Sequence, residues 1–216
     1  MSITIKMTTD AERNRGFVAA KAALMRGECV VMPTDTGYGL AANPFVPNGL
    51  DSLYKAKQRD RGMPVPVFVA NLDAALALSY NLSEKAKLLM AKFWPGALTV
   101  IVKAHPTLKW DLADPENTIA LRIPLNRTAL ELLNQTGPLG VTTANVSDRP
   151  AATDIESAKE QFGSLVSVYL DAGISVGNQP STIIDATKDQ LRLVRAGALA
   201  VSEIVEVIGA TELVES

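Results

Sequence analysis

Cysteine and histidine each occur once in these 216 residues, as Cys29 and His105. One thiol excludes an internal disulfide and makes a reducing cytoplasm the expected setting. One histidine and one cysteine cannot build a zinc site of the usual kinds, a Cys–His pair or a Ser–His relay. Aromatic residues make up only 5% of the chain, and the formal net charge is −2. Both features argue against a surface that grips nucleic acid in bulk, which needs a basic face and stacking rings. No apolar run approaches a membrane span, and the first residues lack the charged-then-apolar layout of a signal peptide. No membrane partner is expected. A G-x-x-x-x-G-K-[ST] phosphate loop is missing. Gly37 to Ala42 spells G-x-G-x-x-A, but Pro44 and Pro47 follow where a dinucleotide-binding turn needs a helix. With no internal repeat and no linker, residues 1–216 are expected to form one domain.

Hydrophobic residues make up 47% of the chain, enough for one sizeable core. Ile3 to Met7 reads as an edge strand. Thr8, Thr9 and Asp10 are candidate caps for a helix that presents Val18, Ala22 and Met25 on its buried face and stops at Gly27. Further helices are predicted at 49–57, with Leu50, Leu53 and Tyr54 inward, and after Ser83, 128–135, 153–162 and 201–208. Strands are predicted at 28–32, 65–70, 98–102, 118–123, 139–142, 166–170, 180–185 and 191–194. Several strands follow one another without a helix between them, which predicts a mixed sheet rather than a doubly wound one.

Pro33-Thr34-Asp35-Thr36-Gly37-Tyr38-Gly39-Leu40 stands out. Pro33 cannot donate to a sheet ladder, so the preceding strand is expected to end there. Hydroxyls, a carboxylate and glycines follow, which suits a small-molecule site and equally an ordinary polar turn. Lys55 to Arg61 holds four cations in seven residues; taken alone it reads first as a solvated helix end. Arg122 sits on an apolar strand and therefore needs an anionic partner, either a structural carboxylate or a ligand. Polar residues also cluster at two later strand ends, Thr142 to Ser147 and Pro180 to Asp185, and Arg195 closes another strand. Lysine and arginine clamp phosphates, while threonine, serine and asparagine hold small polar groups. No nucleophile–base pair or metal cluster accompanies them. Nucleotidyl transfer fits, because it asks the protein chiefly to position and neutralise phosphates.

In this order the motifs resemble the YrdC-like family of L-threonylcarbamoyladenylate synthases, from about Gly27 to Gly197. Pro33 to Leu40 matches the P-T-[DE]-T-x-Y-G-L signature, and Lys57-Gln58-Arg59 matches K-x-R. Phe93-Trp94-Pro95-Gly96, Leu121-Arg122-Ile123-Pro124, Thr142 to Ser147, Pro180 to Asp185 and Arg195-Ala196-Gly197 match the remaining landmarks. The resemblance implies an α/β fold, a twisted mixed β-sheet with flanking helices around a deep electropositive cavity. It implies that L-threonine, bicarbonate and ATP, with Mg²⁺ carried on the ATP, give threonylcarbamoyl-adenylate and pyrophosphate. The product would serve tRNA threonylcarbamoyladenosine modification, with tRNA or a downstream threonylcarbamoyl-transferase complex as further partners.

Carried over by position, Lys57 and Arg59 contact the ATP phosphates as the catalytic pair. Thr143, Asn145 and Arg195 bind the nucleotide, and Thr34, Arg122 and Ser181 bind threonine, Arg122 through the carboxylate or a phosphate. Asp35 or water would take the amine proton. Thr143 stands where the family usually has serine, Met63 where lysine or histidine is common, Gly37 where an apolar residue is usual, and Asp148 where glycine is common. The chain ends soon after Arg195, so the extra C-terminal domain of longer relatives is expected to be absent. The competing readings are a YciO-type relative, or an RNA-binding protein that takes nucleotide or double-stranded RNA without synthase turnover. YciO-type relatives tend to lack the K-x-R pair and the later Ala-Asn, both of which this chain keeps.

Overall fold

An edge strand at Ile3–Lys6 (β1) leads into a helix at Asp10–Met25 (α1). The computed structural model describes residues 2–61, 64–108, 117–177 and 179–215, so the departure at Met63 lies outside the described residues. Thr9 and Glu12 close a capping box: the Thr9 hydroxyl accepts from the Glu12 amide, and the Glu12 carboxylate accepts from the Thr9 amide. The buried face of α1 is not the one its spacing predicts. Gly16, Phe17, Ala20, Ala23 and Leu24 point inward, while Val18, Ala22 and Met25 are exposed. Alanines ring this helix, so its largest apolar groups and one small residue set the rotation. Gly16 lets the helix approach Met7, whose Sδ would lie 2.8 Å from a Cβ there.

The expected strand end at Pro33 is also corrected. Cys29–Thr34 (β2) runs through the proline, and Gly37–Ala42 (β3) returns antiparallel, with Pro33 opposite Tyr38 and Thr34 opposite Gly37. The polar stretch is a hairpin whose turn is Asp35–Thr36. Proline is tolerated because the pairing of β2 with the strand at Val166–Asp171 stops at Val31, so no partner on that side asks for its missing N–H.

Gly49–Lys57 (α2) follows, then a two-residue strand at Val67–Phe68 (β4), shorter than expected because Pro64 and Pro66 make its approach irregular. Leu72–Leu78 (α3), absent from the sequence reading, is capped by Asn71. Glu84–Phe93 (α4) is capped by Ser83 as expected. The remaining elements are Leu98–Lys103 (β5), Thr118–Arg122 (β6), Arg127–Thr136 (α5), Leu139–Thr143 (β7), Ile155–Phe162 (α6), Val166–Asp171 (β8), Thr182–Asp185 (β9), Leu191–Arg195 (β10), Val201–Ile208 (α7) and Leu213–Glu215 (β11).

All eleven strands form one sheet in the order β1-β8-β2-β3-β7-β4-β6-β5-β9-β10-β11. It is mixed, as predicted. β1, β8 and β2 are parallel, β2, β3, β7 and β4 antiparallel, and the far half alternates the two kinds of pairing. Apolar clusters cover both faces. One gathers Phe17 and Leu24 of α1 and Leu132 and Leu133 of α5; the other gathers Leu53, Leu89, Ile155 and Ile204 of the remaining helices. Every residue of β2 and β3 is buried as a result, which holds their hairpin rigidly between two layers. Among the described residues no helix is long and apolar enough to cross a membrane.

Candidate active site

The hairpin turn meets β6 through Arg122. Its Nη2 lies 2.7 Å from Asp35 Oδ1, Nη1 donates to Thr36 Oγ1 at 2.9 Å, and Nε donates to the Gly96 carbonyl at 2.9 Å. The guanidinium also stacks over Phe68 at 5.2 Å. Arg122 is therefore the strand arginine with a structural carboxylate, and Asp35 is committed to it. Burial lowers the Arg122 pKa, Asp35 opposes that, and Arg195 adds to it across the site. Thr34 closes the turn: its hydroxyl donates to the Gly37 carbonyl at 2.7 Å and accepts from the Thr36 amide. The Phe93 to Gly96 landmark serves the same cation, since its cis Trp94–Pro95 bond precedes the carbonyl that Arg122 uses.

At the end of α2 the chain makes a left-handed step at Gln58, with φ of 50°. The step folds Arg59 back so that its amide bonds to Tyr54 O and its guanidinium lies over the Tyr54 ring at 5.4 Å. Lys57, 3% exposed, donates to the Thr143 carbonyl at 3.0 Å and to Asn145 Oδ1 at 2.8 Å. The other end of Asn145 donates to Arg149 O, and the Lys57 carbonyl accepts from the Ser147 amide. The K-x-R corner and the Thr142 to Ser147 loop are thus laced together. Both partners of the Lys57 amine are neutral, so burial, reinforced by Arg59, pulls its pKa down to about 8.

A third group sits where β9 and β10 begin and end. Arg195 donates from Nε and Nη2 to the Ser181 carbonyl, at 3.1 and 2.8 Å, and from Nη2 to Ser181 Oγ at 3.3 Å. Ser181 Oγ lies 2.8 Å from Thr99 Oγ1 of β5. Burial lowers the Arg195 pKa. Among the described residues neither Lys57 nor Arg195 has a carboxylate partner.

These groups enclose a cavity of about 230 Å³. Six of the eight residues singled out in the sequence line it: Thr34, Arg59, Arg122, Thr143, Ser181 and Arg195. Lys57 and Asn145 do not; they brace the wall that Thr143 presents. The sequence reading missed Thr36 and Thr99, which also line it. Thr36 was legible as a second hydroxyl within the turn motif, and Thr99 as the one hydroxyl in the apolar run Leu98 to Val102. Cys29 is buried in β2 with its thiol pushed up to about 12, so it is a packing residue. No cluster of acidic, His or Cys side chains among the described residues could hold a metal ion.

The protein is thus an α/β protein whose mixed sheet gathers arginines and hydroxyls into one concave site. The family model Sua5_yciO_yrdC, described as telomere recombination, matches residues 22–197, and the chain belongs to that family. A Mycobacterium leprae protein assigned as a threonylcarbamoyl-AMP synthase is 46% identical over 92% of this chain and 90% of its own length. The Bacillus subtilis threonylcarbamoyl-AMP synthase is 32% identical over 95% of this chain, which spans 60% of that longer relative. Among solved structures, P. abyssi Sua5 complexed with L-threonine superposes with a TM-score of 0.88 at 27% identity, covering 99% of this chain and 62% of its own. E. coli YciO superposes with a TM-score of 0.85 at 26% identity, covering 94% of this chain and all of its own.

Proposed function

We propose that this protein is an L-threonylcarbamoyladenylate synthase of the cytoplasm, a nucleotidyltransferase that makes threonylcarbamoyl-adenylate and pyrophosphate from L-threonine, bicarbonate and ATP. The observation that carries the reading is the split between its cations. Arg122 is neutralised by Asp35, whereas the desolvated Lys57 and Arg195 have no acid among the described residues to offset them. Buried cations without counter-charge call for an anionic ligand, and a triphosphate supplies one. The balanced Arg122–Asp35 pair suits a ligand of no net charge, such as a zwitterionic amino acid. Relatives named for this activity, and a relative that holds L-threonine, support the assignment.

In this reading Arg59 and Arg195 take the phosphates, Lys57 adds positive charge from behind Thr143, and Thr143 and Asn145 shape the nucleotide side. Thr34, Arg122 and Ser181 receive threonine. The cavity is smaller than most drug-sized sites, so part of the nucleotide lies at its mouth. The threonine amine attacks the carbon of CO2, formed as bicarbonate loses hydroxide, to give a carbamate; the amine proton leaves to solvent, where it makes water with that hydroxide, since Asp35 is held by Arg122. A carbamate oxygen then attacks the α-phosphorus, the bond to the β-phosphate breaks, and pyrophosphate departs. An anionic carbamate needs no base for this second step. Among the described residues no acidic, His or Cys cluster would hold Mg²⁺, so an ion in this reading would be carried in on the phosphates. Such an ion would add to the neutralisation of their charge. The product would be passed to a separate transferase acting on tRNA.

Pyrophosphate release should require all three substrates together. Lys57→Ala and Arg59→Ala should each lower kcat/KM by on the order of a hundredfold. Release without threonine, or full activity in both variants, sinks the assignment.

A further inference from the structure

We infer that Thr99 is a positioning residue that fixes the direction of the Ser181 hydroxyl, making it a hydrogen-bond donor aimed into the cavity at an anionic ligand oxygen. The inference deepens the synthase reading and rests on it for the identity of the ligand. Its basis is an inventory of protons. Thr99 is 1% exposed, and the acceptor within reach of its hydroxyl is Ser181 Oγ at 2.8 Å. The pair holds two protons, one of which lies between the oxygens; Thr99 is the more deeply buried, at 1% against 6% for Ser181, so its proton takes the internal bond and Ser181 accepts. Ser181 Oγ accepts a second time, from Arg195 Nη2 at 3.3 Å. A hydroxyl has two lone pairs and one proton. With both lone pairs engaged, the Ser181 proton has no described acceptor in the protein, and Ser181 lines the cavity.

The reverse arrangement is the less favourable. If Ser181 donated to Thr99, the free proton would fall on Thr99, the more deeply buried of two hydroxyls that both line the cavity. The polarity is therefore set by the deeper burial of Thr99, while Arg195, which can only donate, takes the second Ser181 lone pair. An outward O–H at this position rejects an ammonium or amide N–H and accepts carboxylate, carbamate or phosphate oxygen. Threonine in the apolar run Leu98 to Val102 has its reason here: β5 supplies the donor that Ser181, just before β9, accepts.

The test is calorimetric titration of L-threonine and of ATP into the full chain and into Thr99→Val, Thr99→Ser, Ser181→Ala and the Thr99→Val/Ser181→Ala double variant, alongside the pyrophosphate assay. Thr99→Val keeps the shape of the side chain and removes its proton. It should weaken one ligand by roughly threefold to tenfold, the loss of one well-directed hydrogen bond. Thr99→Ser should restore that affinity, and Thr99→Val should cost nothing further once Ser181 is alanine. A loss confined to L-threonine assigns the hydroxyl to the amino acid's oxygen, and a loss confined to ATP assigns it to a phosphate; either supports the donor polarity. Unchanged affinities in Thr99→Val, or a loss that adds fully to that of Ser181→Ala, overturn it. A wild-type chain that binds both ligands but releases no pyrophosphate refutes the synthase reading while leaving the hydroxyl test readable. A wild-type chain that binds neither refutes both.

Discussion

Arg122 and Lys57 show how the same residue class is stabilised in two ways inside one site. Arg122 keeps its charge because Asp35 lies against it, and an unpaired guanidinium at 2% exposure would be expensive. Asp35→Asn should therefore cost about 3 kcal/mol in a urea unfolding experiment, because it leaves the arginine buried without its counter-charge. The Asp35→Asn/Arg122→Met double variant should recover much of that loss, since removing both charges removes the desolvation cost as well. Lys57 has no such partner, and its pKa falls from the ordinary 10.5 to about 8. The sign of the consequence is fixed. Between those two values the unfolded chain holds more protons than the native one, so the lysine's contribution to stability grows as pH rises through that window. ATP binding runs the other way, because phosphate in the cavity favours the ammonium, and the amine behind Thr143 must take up a proton to add its charge. Titrations of ATP near pH 8.5 in buffers of different ionisation enthalpy should show proton uptake, and affinity should fall as pH rises through about 8. Both effects should vanish in Lys57→Met.

Elements place these residues by local backbone geometry. At the C-terminal end of α2, the left-handed Gln58 gives the two cations that flank it separate stations, Lys57 behind Thr143 and Arg59 over Tyr54 at the cavity. A side chain in that conformation is strained, and glycine is not, so Gln58→Gly should raise stability by about 0.5–1 kcal/mol, read as a shift of the urea midpoint. The K-x-R motif was legible as a motif, but the left-handed step that gives it geometry was not, since glutamine carries no turn signal. Asp148 is the converse case. Its place as a departure from a common glycine matches its left-handed φ of 64°, which aspartate tolerates. Two element readings failed for physical reasons visible in the structure. The face of α1 was judged from Val18, Ala22 and Met25, yet rotation followed Phe17, Leu24 and the close approach allowed by Gly16. The strand end at Pro33 was judged from proline alone, yet proline stands where β2 has no second partner to serve.

At the scale of the whole molecule, the cavity exists because distant strand ends are brought round to one another. The β2–β3 turn and the end of β7 are neighbours in strand order, but β5 and the start of β9 lie several strands away, and sequence spacing carries no information about that closure. The residues were legible one by one; their convergence was a property of the sheet. The segment that follows β8 meets the hairpin at two points. Tyr38 pins its start, donating to the Gly173 carbonyl at 2.7 Å and accepting from the Ala172 amide at 3.0 Å. Further along, Gly177 lies directly on the hairpin turn: a Cβ there would sit 2.2 Å from Asp35 O and 3.0 Å from the Thr36 Cα. Neither obstacle is a flexible side chain, so Gly177→Ala must move backbone. The turn carries Thr36, which receives Arg122, and Asp35, which neutralises it, so displacement should reach the amino-acid side of the site first. Gly177→Ala should weaken L-threonine binding by on the order of tenfold or more while changing ATP affinity much less, because misplacing a positioning group by an ångström is costly only where that group acts. Titrating each ligand separately into the variant checks this. Equal losses for both ligands would mean that the connection supports the sheet as a whole rather than the hairpin in particular.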